Sequence, residues 1–337
     1  MKYRFTFAKG KKDTCPSCNH KRKYRRYIDI ETGELLPYHY GKCERIESCQ
    51  YHLNPYVDKY HHKGNDYSFN FNYNTILAIK KPRVFHLPDE VLELTKTDYN
   101  TNQFLINLKS NIPFPFKDGD IQKLIDLYQL GTINFGSMKG AITFPYINAN
   151  NNIRAIQCAT YDKDNHRLKM NYIHSLLEYK YKAEFKQTPS WLNDYNSNDK
   201  KIDCLFGEHL VTKYKNNPIG IVEAPKTALI CTLYYGFPDN PFNTIWLSAT
   251  MLNGLSKDKF KAIQNRNITL YPDLSKDQIA FKEWKKKAND LQDVYTNIQI
   301  NVSDYLEKVA TTEQRNKGYD LADFLIKHNW QLFRNLN

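Results

Sequence analysis

Pro218-Ile-Gly-Ile-Val-Glu223, followed by Ala-Pro-Lys-Thr-Ala-Leu, and Asn267-Ile-Thr-Leu-Tyr-Pro-Asp273, followed by Leu-Ser-Lys-Asp277, are two short apolar runs that each stop at an acid. A short apolar run without polar alternation reads as a strand buried on both faces. When such a strand ends at a carboxylate and passes into a helical pattern, the acid sits in the crevice beyond the sheet, as in open α/β folds. Two acids delivered this way are suited to hold a hard divalent cation for phosphoryl-transfer chemistry. The fold class expected for this part of the chain is therefore α/β.

Working outward, 337 residues suit two or three domains and can bury cores that need no disulfide framework. The N-terminus has no apolar run of signal-peptide length, and no stretch approaches the roughly 18 apolar residues of a membrane span. The expectation is a soluble cytoplasmic protein without a membrane partner. The formal charge is +12, and residues 1–63 carry 14 Lys/Arg against 7 Asp/Glu. That asymmetry points to a basic, nucleic-acid-facing N-terminal module, although a solvated basic face has the same composition.

Four of the seven cysteines fall in that module. Cys15-Pro-Ser-Cys18 and Cys43-Glu-Arg-Ile-Glu-Ser-Cys49 flank Lys23–Ile30, Glu31-Thr-Gly-Glu and Leu35–Tyr40, which read as strand, turn and strand. Two cysteine knuckles around a hairpin make a zinc ribbon, with one structural Zn²⁺ on Cys15, Cys18, Cys43 and Cys49. His20, His39 and His52 are alternative ligands. A closed four-thiolate site leaves no open position for substrate. Lys21, Arg22, Lys23, Arg25 and Arg26 alternate with Tyr24, Tyr27 and Tyr38. The cations suit phosphates; the rings suit either base stacking or the core of a small domain. Cys158, Cys204 and Cys231 stand singly in apolar surroundings and read as buried small hydrophobes.

Residues 52–75 read as a linker or loop. Helices are expected after Pro88, over Asn102–Leu108 and over Asp118–Leu130, and a hairpin over Gly140–Tyr161 with its turn at Asn148–Asn152. A further segment carries Arg167 and Lys169, and Phe324–Asn337 reads as an amphipathic closing helix. No Gly-x-x-x-x-Gly-Lys-Ser/Thr is present, so no P-loop activity is expected.

The order of these parts carries a resemblance. A zinc ribbon, the hairpin FPY…N…IRAIQ, the LFGEHL element at Leu205–Leu210, the strand ending at Glu223 and the strand ending at Asp273 together resemble DnaG-type bacterial primases. In that family a zinc module precedes a two-part polymerase core whose second part is a TOPRIM fold. The resemblance implies three domains: a zinc ribbon over 1–63, an α+β primase-like core subdomain with its linker over 64–205, and a TOPRIM-like α/β sheet with closing helix over 206–337. It implies Glu223, Asp273 and Asp320 as catalytic acids and Asp323 as a further ligand of Mg²⁺ or Mn²⁺; Asp277, four residues beyond Asp273, is a further candidate contact, and Lys226 would compete with the metal or bind a phosphate directly. It also implies contact of Arg154 and Lys169 with nucleic acid.

The chain departs from that pattern at several places. The second aspartate of the family's Asp-x-Asp pair is Ser275, and the aspartate expected four residues after the glutamate is Thr227, preceded by Lys226. Three readings follow. One is a primase making short RNA primers on single-stranded DNA in DNA replication. Another is a catalytically weak or inactive TOPRIM DNA-binding protein of a mobile element or plasmid. A TOPRIM nuclease is the third. A replicative helicase or mobile-element protein is the expected partner, supplied by another chain.

Overall fold

A computed structural model describes residues 3–45, 49, 51–57, 60, 83–252, 254–295 and 297–334. The linker expected over 52–75 lies largely outside the described residues. The chain divides into two compact units, Met1–Lys80 and Lys81–Asn337. It is a mixed α/β protein with an N-terminal β zinc-ribbon region, as its sequence pattern predicts.

The first unit is an antiparallel sheet of four short strands in the order β1 (Phe5–Phe7), β2 (Tyr24–Asp29), β3 (Gly41–Cys43) and β4 (His52–Leu53). The partner of β2 is therefore not the expected strand Leu35–Tyr40. Pro37 has no N–H for a ladder, and its carbonyl instead accepts the Tyr40 N–H in a turn. Of that pairing there remain an isolated bridge, Ile28 to Leu35, and a bond from the Tyr27 N–H to the Tyr40 carbonyl. Gly41 is required where it stands, because an added Cβ would lie 2.4 Å from the Arg25 carbonyl oxygen. Tyr24 and Tyr27 are buried, so these two rings belong to the core.

The second unit contains two sheets. β5 (Gly131–Thr132), β6 (Ile142–Ile147), β7 (Ile153–Tyr161) and β8 (Arg167–Tyr172) form an antiparallel sheet, in that order. β6 and β7 are the expected hairpin around Asn148–Asn152. β7 is buried almost throughout because both of its faces are packed: Ala155, Ala159 and Tyr161 join one core cluster, and Ile153, Ile156 and Cys158 another. β8 is an exposed edge. The helices Asp89–Glu93, Gln103–Ser110 and Asp120–Tyr128 occupy the expected segments.

The other sheet is parallel, with the order β10 (Ile245–Ser248), β9 (Ile219–Val222), β11 (Asn267–Tyr271), β12 (Gln299–Val302). The chain leaves β9 through helix Pro225–Tyr235 to β10 on one side, and leaves β11 through helix Ile279–Gln292 to β12 on the other. The switch of direction thus falls between β9 and β11, where α/β sheets open a crevice. Register sets Val222 beside Tyr271, so the strands deliver Glu223 and Asp273 to that crevice. The same buried cluster holds side chains of both sheets, including Tyr146 and Ile221. The closing helix is shorter than expected. Helix Leu321–Leu325 ends before a turn at His328, and Asn329 caps a separate 3₁₀ turn, Trp330–Leu332.

Candidate metal centre and acid cluster

The ribbon brings four sulfurs together from two loops. Cys15 and Cys49 Sγ lie 3.6 Å apart, and Cys18 and Cys43 Sγ 3.9 Å apart. All four sulfurs are within 4.8 Å of one another. Tetrahedral zinc with bonds of about 2.3 Å needs sulfurs about 3.8 Å apart, so this donor set fits the ion. The five-residue gap between Cys43 and Cys49 therefore presents two thiols as well as the two-residue gap does. Burial pushes the Cys43 thiol up to about 12. Burial also opposes ionisation of Cys18, but the His20 backbone, Cys49 and Arg45 outweigh it and bring its pKa to about 6. Among the described residues the sulfur group includes no histidine. His20 Nδ1 bonds the Cys18 carbonyl, and the His52 ring stacks on Tyr27.

The basic residues of the ribbon separate into two sets. Lys21, Arg22 and Lys23 are exposed. Arg25 is paired with Glu44 at 3.0 Å, and Arg26 donates to the Leu36 carbonyl and lies over the Tyr38 ring. In the second unit Lys169 is exposed on the edge strand β8 beside Arg167. Arg154 corrects an expectation. It is fully buried, and its guanidinium donates to Asp203 Oδ1 at 2.8 Å, to Lys201 O at 2.6 Å, to Asp199 O at 3.3 Å and to the Phe85 carbonyl. It ties two segments, at residue 85 and at residues 199–203, to β7 and has no face for nucleic acid.

At the carboxyl edge of the parallel sheet the acids gather around one cation. Lys226, in the first turn of helix Pro225–Tyr235, places Nζ 3.3 Å from both Asp320 Oδ2 and Asp323 Oδ1. Asp320 and Asp323 form a reciprocal capping box at the start of helix Leu321–Leu325: Asp320 Oδ1 accepts the Asp323 N–H, and Asp323 Oδ2 accepts the Asp320 N–H. Thr227, fully buried, donates Oγ1 to Asp320 Oδ2 at 2.7 Å. Every oxygen of Asp320 and Asp323 thus has a protein donor. Burial works against the charge of Lys226, yet Asp320 and Asp323 hold its pKa above the ordinary lysine value.

Glu223 and Asp273 stand at the neighbouring strand ends. Burial raises the Glu223 pKa, and Asp320 adds to the rise. Burial, Asp320 and Glu223 together push Asp273 well up. Asp273 Oδ1 is buried and has no hydrogen-bond partner. Ser275 does not replace the missing carboxylate: its Oγ accepts the Ala280 N–H and caps the following helix. Asp277 is exposed, in the left-handed region with φ 55°. The carboxylates of Glu223, Asp273 and Asp320 do not converge as a triad within 4.8 Å, unlike the four sulfurs. As arranged, the cluster does not fit a two-ion centre. Two of its four acids already share the one Lys226 ammonium and are hydrogen-bonded from within.

Two participants are not evident from the acid-ended strands. Tyr161, at the end of β7, lies near enough to Lys226 and Asp320 for mutual charge effects. Glu208, inside LFGEHL, is buried and accepts the Ala149 and Leu205 backbone N–H groups, which fixes the hairpin turn to the chain before β9. An acid and a histidine within a hexapeptide of otherwise apolar residues and glycine are its only signal.

A zinc beta-ribbon finger family model matches residues 1–65. Among solved structures, the chain is similar to the primase fragment of the bacteriophage T7 primase-helicase protein, at 11% identity and TM-score 0.35, over 88% of this chain and 90% of that one. It is also similar to the Aquifex aeolicus primase, zinc-binding and RNA polymerase domains, at 11% identity and TM-score 0.39, over 98% of this chain and 77% of that one. No curated protein matches. The model that matches residues 102–274, just over half of the chain, is that of a domain of unknown function, and the chain belongs to this family, DUF6371.

Proposed function

We propose that this chain is a primase-like protein that binds single-stranded DNA through its zinc ribbon, with little or no primer synthesis of its own. One observation carries the binding half: four convergent sulfurs brace a small β-module whose exposed turn presents Lys21, Arg22 and Lys23 together. Consecutive flexible cations on a metal-braced turn suit a backbone of phosphates. Lys169 and Arg167 on the β8 edge offer a second basic element. The parallel sheet with Glu223 and Asp273 at its switch point supports a TOPRIM-like reading of this part. The Lys226 ammonium on Asp320 and Asp323 favours binding without synthesis, since it holds the acids that a second ion would need.

Fluorescence anisotropy with labelled single strands of mixed sequence, measured across salt concentrations, tests the binding half. Substituting Lys21, Arg22 and Lys23 together by Ala is expected to flatten the log K against log salt slope by about 2, at roughly 0.7 for each phosphate that is no longer neutralised. An unchanged slope would remove the ribbon from the interface. Incubation of the zinc-loaded protein with ribonucleotides, Mg²⁺ or Mn²⁺ and single-stranded templates tests the second half. Template-dependent primers made at a rate sensitive to Glu223→Gln would restore the active-primase reading, and cleavage of the template would favour a nuclease.

A further inference from the structure

We propose that the Lys226 ammonium is a resident cation of the carboxyl-edge cluster, standing where a divalent ion would otherwise bridge Asp320 and Asp323, and that removing it converts the cluster into a divalent-ion site. The geometry is specific. The amino ends of two helices, Pro225–Tyr235 and Leu321–Leu325, face one another across this pair of acids. Lys226 Nζ is equidistant, at 3.3 Å, from one oxygen of each. The remaining oxygens of the pair are taken by each other's backbone N–H groups. The lysine side chain is largely buried, as is Asp320, so water does little to screen the attraction.

An ammonium differs from a divalent ion in two ways that matter here. It carries one positive charge where Mg²⁺ carries two, and it is covalently attached, so its local concentration does not depend on the solution. With one positive charge among four acids, the cluster stays short of positive charge. The shortage appears at Asp273, whose buried Oδ1 has no donor. Thr227 has the same logic: in the place of a further aspartate it supplies a donor to Asp320 and withdraws one negative charge. The cluster therefore holds the helix Leu321–Leu325 on the strand ends without recruiting an ion. Deleting the ammonium would leave Asp320 and Asp323, with Asp273 within their electrostatic reach, without a neutralising group, which is a setting that attracts Mg²⁺ or Mn²⁺.

The test uses the full-length, zinc-loaded chain. Melting temperature and Mn²⁺ paramagnetic resonance are followed as Mn²⁺ or Mg²⁺ is added at constant ionic strength. Wild type and Lys226→Arg should show no saturable uptake. Lys226→Met should melt lower in the absence of ions and regain stability in a saturable manner with Mn²⁺, and the double variant Lys226→Met/Asp273→Asn should lose much of that gain. Saturable uptake by wild type that disappears in Asp273→Asn would overturn the proposal, and so would a Lys226→Met protein that no divalent ion stabilises. If Lys226→Met does not fold, the wild-type and Lys226→Arg titrations decide alone. The inference stands on the cluster and not on DNA binding, so a chain that ignores DNA in the anisotropy assay can still pass or fail here.

Discussion

Glu208 shows how much of a side chain's role depends on what covers it. It is 4% exposed, and burial pushes its pKa up to about 7 although two backbone N–H groups favour the charged form. Its folded pKa lies above the unfolded value, so the native state binds the extra proton between pH 4.5 and about 7, and stability falls as pH rises through that window. Relative to Glu208→Gln, wild type should lose up to about 3 kcal/mol between pH 5 and pH 8, as read from urea midpoints. A gap that stays constant with pH would mean that the carboxyl group does not ionise in place. Arg154 makes the same point with the opposite charge. In Ile153-Arg-Ala-Ile a lone cation reads as solvent-facing, but Asp203 and three carbonyls from distant segments enclose it. Nothing in the local pattern reports those partners, since they come from residues 85 and 199–203.

At the scale of elements, strand and helix positions followed from alternation and caps. The hairpin β6–β7, the strands β9 and β11 and the helix after Asn102, whose side chain accepts the Leu105 N–H, all lie where their residues place them. The departures have local causes. Pro37 turns the chain where a second ribbon strand was expected, and Asn329 starts a new turn where a longer closing helix was expected. Ser275 is the instructive case, because its role belongs to an element and not to an ion. Its Oγ is the only side-chain acceptor at the amino end of helix Ile279–Gln292 among the described residues. Ser275→Ala should cost about 1 kcal/mol, measured by chemical denaturation, with no change in response to divalent ions. Ser275→Asp should retain the cap. A stability loss in Ser275→Asp as large as that in Ser275→Ala would show that the hydroxyl, and not capping as such, is what the site needs.

For the whole molecule, the two units have unequal means of support. The second unit buries a broad core that runs through both of its sheets. Among the described residues the first unit buries Phe5, Tyr27, Leu36 and Tyr40, and Tyr24 beside the cysteines. A core of that size needs a further tie, and zinc on four thiolates supplies one through binding energy that exists only in the folded state. The expected content is about one zinc per chain. Cys15→Ser/Cys18→Ser, or a strong chelator, should release it and melt the first unit, seen as loss of far-ultraviolet β signal. All four tryptophans, Trp191, Trp246, Trp284 and Trp330, fall in the second unit, so their emission should keep its own unfolding transition. A fully folded, zinc-free chain would sink the ribbon. Acidification should release the ion as well, because the thiolates must be reprotonated.

By itself, the order of residues determined the zinc ligands, the acid-ended strands and the mixed α/β class. These are set by short-range spacing: knuckles a few residues long, apolar runs, and the acids that end them. Only the tertiary structure decided that Lys226 faces the distant Asp320 and Asp323, that Arg154 is enclosed, and that Ser275 caps a helix. The physical reason is common to all three. A charged or polar side chain has no preferred partner within its own stretch of chain, and what it does is settled by whichever distant donors, acceptors and charges packing brings within about 3 Å of it.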